Sequence, residues 1–495
     1  RQRDGTCRPA KFVFAETRGD FEGAEKMSIV SKVFHPMSWR RSSRMSRTDD
    51  GDEGETPVVK RVLSTLRQGG SIIELASSSV DDEIATALSR GIPDAISLIH
   101  VNLRGNIIGD DGIIALAAGL TSCDTLETLD LSLNQFGLDG CTALGQCIST
   151  LSSLISLDLH GNDFGDEGME AIAVGLHGHP SIQILDLSWV HFGNAGAIAL
   201  ADALNDNRSL LELSLMYNEI NHEGIDAILG ALAPTDCQLQ ILDLEHNPIG
   251  DEAAAFQHLA KTQSLRILNL ADTQIGDEAV TVLGAAIAEA PSLQSLTLRS
   301  NKIGDVGASS IAEGLEQSQS LQIIDLSSNK IGNTGAGELG HALNDNQTLQ
   351  ELNLASNQIS DISSIGVALA QNSCLTKLSL RQNKIGNKGA EILGTALTQN
   401  ETLLELTLEE DAGDDDGGFG ISDEGAKALA LGLRQNTSLR FLYLGYNNIS
   451  DEGVQAFAET LEQRNMHLKT LDLRNNPIED TGILDLLKDY LGQRR

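Results

Sequence analysis

Three histidines close together in the chain, His177, His179 and His191, are the first candidates for a metal site. Imidazole nitrogen binds Zn²⁺, but zinc sites usually combine it with cysteine thiolates or carboxylates at regular spacing. No such spacing accompanies these histidines, and the sequence contains no H-E-x-x-H, G-x-S-x-G or complete Walker motif. The sequence therefore predicts no metal site, no cofactor and no catalytic residue, and it indicates a protein that is not an enzyme.

A second candidate site is an acidic run from Glu409 to Gly418, inside an insertion around Ala412–Phe419. Ca²⁺ is bound by converging carboxylates. An EF-hand register that ends at Asp416 and Gly417 would place Ala412 at the first ligand position, where an oxygen ligand is required. The sequence favours a solvated acidic loop, with a cation site as the alternative.

Aromatic residues are scarce, since the chain has four tyrosines and two tryptophans, so their placement is informative. One group occupies a shared position in three successive repeats and has a methionine beside it; a second group lies near the C-terminal end. Tryptophan and tyrosine are enriched at binding hot spots. We therefore predict partner-binding surfaces, with the filling of packing gaps as the alternative. The residues are Trp189, Tyr217, His246 and Met216 in the first group, and Phe441, Tyr443 and Tyr446 in the second.

These residues belong to a repeated pattern, L-x-x-L-x-L-x-x-N, which begins at Leu98. Fourteen copies follow one another, most of them 28 residues apart, which is the signature of a repeat architecture. The ninth positions are Asn106, Asn134, Asn162, Val190, Asn218, Asn247, Thr273, Asn301, Asn329, Asn357, Asn383, Asp411, Asn447 and Asn476.

Each repeat predicts a strand followed by a helix. The L-x-L core alternates with period two, which indicates strands near residues 100–104, 128–132 and 156–160. A segment such as Asp166-Glu167-Gly168 then opens a helix, because acids in the first turn complement the helix dipole and small residues allow close packing on the strands. Parallel strands on a concave face and helices on a convex face give a curved α/β solenoid.

The ninth position has a structural role, because an asparagine amide donates and accepts hydrogen bonds at once. Stacked asparagines are predicted to form a ladder that satisfies loop backbone. Val190 interrupts this ladder, and Thr273 and Asp411 replace its asparagines in part.

The fifth position is often aspartate, a poor strand former, which predicts a negative stripe along the concave face. The alternative is that these carboxylates only accept neighbouring hydrogen bonds. Six repeats have it: Asp130, Asp158, Asp186, Asp243, Asp325 and Asp472. Asp158, Asp186 and Asp243 lie in or beside the repeats with the first aromatic group and are assigned with it to partner binding.

Charge restricts the class of partner. The formal net charge is −35, and residues 105–260 contain 23 acidic residues but one Lys or Arg, Arg208. Such a field repels nucleic acid and anionic membranes and attracts basic proteins. The sequence therefore predicts a basic protein partner, no nucleic acid and no membrane. A solubilising or halophilic origin of the charge is the alternative.

The predicted organisation is a disordered tail over residues 1–56, an N-terminal cap or degenerate repeat over 57–97, repeats over 98–476 and a C-terminal cap helix over 477–495. Six cysteines without a C-x-x-C motif predict reduced thiols in a cytoplasmic protein, with the nucleus as the alternative. The chain begins with Arg1 rather than methionine, which leaves open a fragment of a longer protein.

From about residue 70 to 490, the 28-residue helix-bearing repeat resembles the ribonuclease-inhibitor-like leucine-rich repeats. The same repeat type occurs in ribonuclease inhibitor, in the sensor regions of NOD-like receptors and in Ran GTPase-activating protein. The resemblance implies a solenoid scaffold that binds a protein on its concave face. Activation of a small GTPase and ligand sensing as a receptor fragment are the alternatives, although no residue matches a catalytic residue of the GTPase-activating family.

Overall fold

The computed structural model describes residues 57–492 apart from 234–235, 253, 411–419 and 464–466. The predicted tail over residues 1–56, Asp411 and the predicted acidic loop around Ala412–Phe419 lie outside the described residues. Within the described part, no helix has the length and apolar character needed to cross a lipid bilayer.

One parallel sheet of fifteen strands runs through the described part, and each strand pairs with the next in chain order. This arrangement confirms the predicted solenoid, with β1 contributed by the degenerate repeat. The strands are β1 Ile72–Glu74, β2 His100–Asn102, β3 Thr128–Asp130, β4 Ser156–Asp158, β5 Ile184–Asp186, β6 Glu212–Ser214, β7 Ile241–Asp243, β8 Ile267–Asn269, β9 Ser295–Thr297, β10 Ile323–Asp325, β11 Glu351–Asn353, β12 Lys377–Ser379, β13 Glu405–Thr407, β14 Phe441–Tyr443 and β15 Thr470–Asp472.

The strands begin where the sequence predicts but end two residues earlier, and in the repeats that have it the fifth-position aspartate stabilises the bend that follows. The Asp130 Oδ1 atom accepts the Ser132 N–H at 2.9 Å, and the Asp186 Oδ1 atom accepts the Ser188 N–H at 2.9 Å. A side chain that bonds backbone two residues later forms an Asx turn, which bends the chain out of the strand. Asp130 and Asp186 thus accept hydrogen bonds from neighbouring backbone, which is the alternative to a role as a negative stripe.

Among the residues that the structure describes, fifteen α-helices accompany the strands. They are α1 Pro57–Arg67, α2 Asp82–Ser89, α3 Asp110–Leu120, α4 Leu138–Ile148, α5 Gly165–Leu176, α6 Asn194–Asp206, α7 His222–Leu232, α8 Asp277–Glu289, α9 Asp305–Gln317, α10 Asn333–Asp345, α11 Ser363–Gln371, α12 Gly386–Leu397, α13 Asp423–Leu433, α14 Asp451–Gln463 and α15 Thr481–Gly492. Short 3₁₀ segments cover Ile92–Asp94 and Ala254–Lys261.

The segment Ala254–Lys261 corrects the prediction that an α-helix follows every strand. Its repeat is short, because the ninth positions Asn247 and Thr273 are 26 residues apart. A 3₁₀-helix rises about 2.0 Å per residue against 1.5 Å for an α-helix, so fewer residues cover the same distance.

Small residues bring neighbouring helices together. A Cβ atom on Gly145 of α4 would lie 2.1 Å from the Ala171 carbonyl oxygen of α5, and one on Gly175 would lie 2.3 Å from the Gly145 carbonyl oxygen. The sequence predicts that small residues allow close packing of helices on strands, but at these two glycines the close approach is between helices. Strand leucines and helix Ala and Leu residues share one continuous core.

The predicted asparagine ladder is present. Asn329 donates from Nδ2 to the Leu298 and Leu326 carbonyls at 2.9 and 3.0 Å, and its Oδ1 atom accepts the Ile303 N–H at 3.1 Å. Thr273 keeps part of this role, since its hydroxyl donates to the Leu270 carbonyl at 2.7 Å.

A second ladder joins the helix starts and was not predicted. The Asp305 Oδ1 atom accepts the Gly332 N–H at 2.7 Å and the Gly335 N–H at 2.9 Å, both at the start of α10. Asn194 plays the same part for α7, since its Oδ1 atom accepts the Asn221 and Gly224 N–H groups at 3.0 and 3.2 Å. The acids after the ninth position therefore cap the helix of the next repeat, in addition to any effect on their own helix dipole.

The described cysteines are free thiols, and four of the five are buried. Burial raises the pKa of the Cys147 thiol to about 11. Buried thiols of this kind pack as small apolar core residues.

Candidate functional site

The open face of the sheet is formed by the first and third residues of the strands, whereas the second residue is buried in the core in all strands but the last. On this face the strand register aligns Asp130 with Asp158 and Asp158 with Asp186. We call Asp130, Asp158 and Asp186 the acidic row. Asp243 holds the same position two strands further on.

Beside the acidic row, Trp189, Tyr217 and His246 form one continuous stack of rings. The centroids of Trp189 and Tyr217 are 4.1 Å apart and those of Tyr217 and His246 are 4.0 Å apart, with an interplanar angle of 22° for both pairs. Trp189 remains 49% exposed. We call these three residues the aromatic stack. Their shared position in the repeat brings them together, because each repeat places the eighth residue next to the eighth residue of its neighbour.

The backbone at the eighth position turns into the left-handed region, with φ of 58° at Trp189, 56° at Tyr217 and 59° at His246. The same position is at positive φ in other repeats too, with small residues such as Ser300 and with larger ones such as Leu133. This conformation costs residues with a Cβ atom about 1–2 kcal/mol. The fold therefore fixes this backbone conformation in each repeat. The backbone itself does not require the large rings of the aromatic stack.

The His246 end of the stack is polar. The His246 Nδ1 atom lies 2.8 Å from the Asp272 carboxylate, and its Nε2 atom lies 3.5 Å from that of Glu245. Arg299 reaches the same Glu245 carboxylate at 3.0 Å. At this end the aromatic stack therefore meets the carboxylates of Glu245 and Asp272, and the Arg299 guanidinium is already paired with Glu245.

The surroundings raise the pKa of the Tyr217 phenol and of two carboxyl groups on the open face, Asp243 and Asp186. Burial, followed by the charges of Glu245 and Asp272, raises the pKa of Tyr217. Burial also raises the pKa of Asp243 to about 6. The pKa of Asp186 rises to about 6 through burial and then through the neighbouring Asp158 charge. The sequence predicts an acidic face but not which of its carboxylates are buried.

His160 lies between two members of the acidic row, a contact that was not predicted from the sequence. Its Nδ1 atom lies 2.8 Å from the Asp158 Oδ1 atom and 3.9 Å from the Asp186 Oδ2 atom. Its Nε2 atom lies 3.2 Å from the Arg104 guanidinium. The sequence contains the signal for this cluster, because His160 follows Asp158 by two residues and Asp186 follows Asp158 by one repeat length of 28 residues, on the neighbouring strand.

The other predicted binding residues do not extend the aromatic stack. Met216 is half-buried, and its carbonyl accepts the Trp189 N–H at 2.9 Å. Phe441 and Tyr443 lie on the open face and Tyr446 is 39% exposed, but no ring contact joins these three within the described part of the chain. The second aromatic group is therefore a set of separate side chains, not a stack.

The histidines considered first for a metal site are dispersed. His179 is buried; its Nδ1 atom accepts the Ser181 N–H and its Nε2 atom donates to the Ile148 carbonyl. Asn207, one repeat later, makes the matching bonds to Ser209 and Leu176, so His179 has the role of a loop asparagine. His177 instead lies 3.5 Å from the Asp206 carboxylate.

Comparison with known proteins identifies the repeat. The family model described as Leucine Rich repeat matches thirteen segments that together make up more than half of the chain: residues 95–117, 122–145, 150–173, 178–201, 206–229, 236–255, 261–284, 289–312, 317–340, 345–363, 371–394, 435–458 and 464–487. Among solved structures, the chain is similar to an internalin from Listeria monocytogenes, with 20% identity and a TM-score of 0.43 over 78% of this chain and 92% of that one. No curated protein sequence matches the chain.

Proposed function

Because the chain belongs to the leucine-rich repeat family, a family whose repeats typically serve protein binding, we propose that it is a non-catalytic scaffold that holds a basic segment of a partner protein on the open face of its sheet. The proposed contact surface is the aromatic stack together with the carboxylates of Asp158, Asp186 and Asp243. The observation that carries this proposal is the aromatic stack itself.

The stack supplies the apolar part of such a contact. Trp189 is about half exposed, so its indole offers area that a partner side chain can cover. A guanidinium or ammonium over an indole face is attracted by the ring quadrupole, by about 0.5–2 kcal/mol depending on desolvation. Stacking on Tyr217 also orders the indole before binding, which lowers the entropy lost when a partner docks.

The charges around the stack select a basic partner. Glu245 and Asp272 flank its His246 end, and the acidic row continues on the neighbouring strands. Arg299 already pairs with Glu245 at 3.0 Å, which illustrates how an arginine side chain is accommodated here. Electrostatic attraction of this kind mainly raises the association rate, whereas the buried rings mainly slow dissociation.

The test begins with affinity capture of partners by the full chain, followed by surface plasmon resonance on one identified partner. Trp189→Ala should weaken binding by roughly 2 kcal/mol. Val174→Ala is the matched control, since Val174 is a similarly exposed apolar residue on helix α5 and lies away from the open face. If Trp189→Ala binds like the wild type while Tyr443→Ala does not, the binding site belongs to the second aromatic group and the proposal is wrong.

The non-catalytic part of the proposal has its own test. Activation of a small GTPase, the alternative function, predicts that the chain accelerates GTP hydrolysis by a Ran-type GTPase in single-turnover assays. The scaffold proposal predicts hydrolysis at the intrinsic rate. An acceleration that survives in Trp189→Ala would replace the proposal with the catalytic alternative.

A further inference from the structure

We propose that His160, Asp158 and Asp186 form a binding site for one divalent transition-metal ion, with Zn²⁺ as its best-fitting occupant. The site lies on the open face and shares Asp158 and Asp186 with the proposed contact surface, but its test needs no partner protein. One ligand atom from each residue lies within 4.8 Å of the other two. Among the described residues, this is the group of three or more potential metal ligands that converges in this way.

The geometry suits one small ion. The two carboxylates approach the same ring nitrogen, since the His160 Nδ1 atom lies 2.8 Å from Asp158 Oδ1 and 3.9 Å from Asp186 Oδ2. Zn²⁺ bonds of about 2.0–2.1 Å in a tetrahedron place ligand atoms about 3.4 Å apart. The two observed separations bracket this value, and all three ligand atoms lie within 4.8 Å of one another, so small side-chain shifts would let them hold one ion with water as the fourth ligand.

A comparison with His246 shows that this convergence is specific. His246 also lies between two carboxylates, but Asp272 approaches its Nδ1 atom and Glu245 approaches its Nε2 atom. Two carboxylates on opposite ring nitrogens cannot share one ion with the imidazole. At His160 both face one nitrogen, which is the arrangement that a single ion requires.

The ligand types and the burial point to a transition metal. One imidazole nitrogen and two carboxylate oxygens form a donor set that Zn²⁺ accepts, whereas Ca²⁺ and Mg²⁺ prefer oxygen ligands alone. The side chains of His160, Asp158 and Asp186 are 13%, 17% and 7% exposed. Two neighbouring carboxylates with this little solvent repel each other, and a divalent ion would neutralise them where water does not.

In the metal-free site, the Arg104 guanidinium supplies the positive charge that faces the His160 ring and the Asp158 carboxylate. Its guanidinium lies 3.2 Å from the His160 Nε2 atom, 3.0 Å from the Ser132 hydroxyl and 4.0 Å from the Asp158 carboxylate. When Nδ1 binds a metal, Nε2 carries the proton, so the imidazole and the guanidinium would face each other as two donors. Metal binding therefore requires Arg104 to move away, and the arginine and the metal compete.

The experiment is calorimetric titration of the chelator-treated full chain with Zn²⁺, and with Ca²⁺ as the hard-cation comparison. We expect one Zn²⁺ site, weakened at least roughly tenfold by His160→Ala and by Asp186→Asn. Arg104→Ala should strengthen it roughly tenfold, because a competing positive charge is removed. This gain in affinity cannot come from misfolding, so it keeps the test valid if Asp186→Asn destabilises the chain.

The matched control is His222→Ala. His222 lies 3.4 Å from the Glu252 carboxylate, so it provides a histidine–carboxylate pair without a third ligand. Its replacement should leave the Zn²⁺ affinity unchanged. The proposal is overturned if Zn²⁺ does not bind, if His160→Ala has no larger effect than His222→Ala, or if Ca²⁺ binds as tightly as Zn²⁺.

Discussion

Tyr217 packs on the indole of Trp189 from one repeat further along the chain, with ring centroids 4.1 Å apart and both residues in the left-handed backbone region. The repeat brings the two Cα atoms to equivalent positions, and the shared backbone geometry directs both rings the same way. A surface feature that extends across repeats thus arises from one position of the repeat. This relationship leads to the first prediction.

Tyr217→Ala should lower the free energy of unfolding, because it removes two ring contacts worth about 0.5–1.5 kcal/mol each and keeps a Cβ atom at φ 56°. Tyr217→Gly should be less destabilising by up to about 1 kcal/mol, since glycine adopts this conformation without strain. Urea denaturation of the two variants measures the difference. A glycine variant less stable than the alanine variant would show that backbone strain is unimportant here.

Asn329→Ala should cost about 1–3 kcal/mol in free energy of unfolding, because it leaves buried carbonyls and an N–H without their partners. Val190→Ala provides the comparison at the same repeat position, since valine makes no side-chain hydrogen bond there and its replacement removes apolar contacts alone. Chemical denaturation checks both variants. A neutral Asn329→Ala would contradict the ladder argument.

Asp305→Ala should cost about 0.5–2 kcal/mol, because two N–H groups at the start of α10 lose their acceptor. Asp305→Asn should keep most of that stability, as Asn333 already accepts the Ser360 and Asp361 N–H groups in the next repeat. Thermal unfolding of the pair separates the hydrogen bond from the charge. Equal losses in both variants would mean that the negative charge, and not the acceptor, matters.

Asp243 should make stability fall as pH rises. Burial raises the pKa of its folded-state carboxyl to about 6, above its ordinary value of 3.8, so the folded chain holds this proton more tightly than the unfolded chain. The extra stability is present below about pH 4 and is lost as pH rises through about 6. Asp243→Asn should therefore unfold with a higher free energy than the wild type at pH 7, by up to roughly 3 kcal/mol, and with a similar one at pH 3.5. Denaturation at both pH values measures this, and Asn269 shows that asparagine fits the position. An unchanged difference between the two pH values would rule out this titration.

Binding kinetics should separate the rings from the charges. Trp189→Ala should act mostly through faster dissociation of the partner, whereas joint replacement of Asp158 and Asp243 by asparagine should slow association. The second effect should shrink as salt rises, because the attraction between charges that are still separated by water is screened over about 10 Å at 0.1 M ionic strength. Surface plasmon resonance at low and high salt tests this division. A salt-independent association rate would argue against electrostatic steering.

The sequence by itself determined the architecture. Leucines at fixed positions of each repeat can be buried only when strands and helices of successive repeats stack, so the pattern at Leu126, Leu129 and Leu131 specifies a parallel sheet and its register. The same periodicity placed Trp189, Tyr217 and His246 at one position and allowed their proximity to be predicted. It also predicted the ladder and its interruption at Val190, because hydrogen-bonding capacity can be read from residue type.

Tertiary structure alone decided the atomic details that depend on distances between repeats. The sequence assigns Asp166 to the dipole of its own helix, but stacking places its Oδ1 atom where it accepts the Gly193 and Gly196 N–H groups at the start of α6, both at 2.8 Å. His160 meets Asp186 only because β4 and β5 are neighbours and the ring turns its Nδ1 atom toward both carboxylates. Periodicity fixes which residues are neighbours, but side-chain rotamers and local burial fix which atoms meet, and a linear pattern does not encode those.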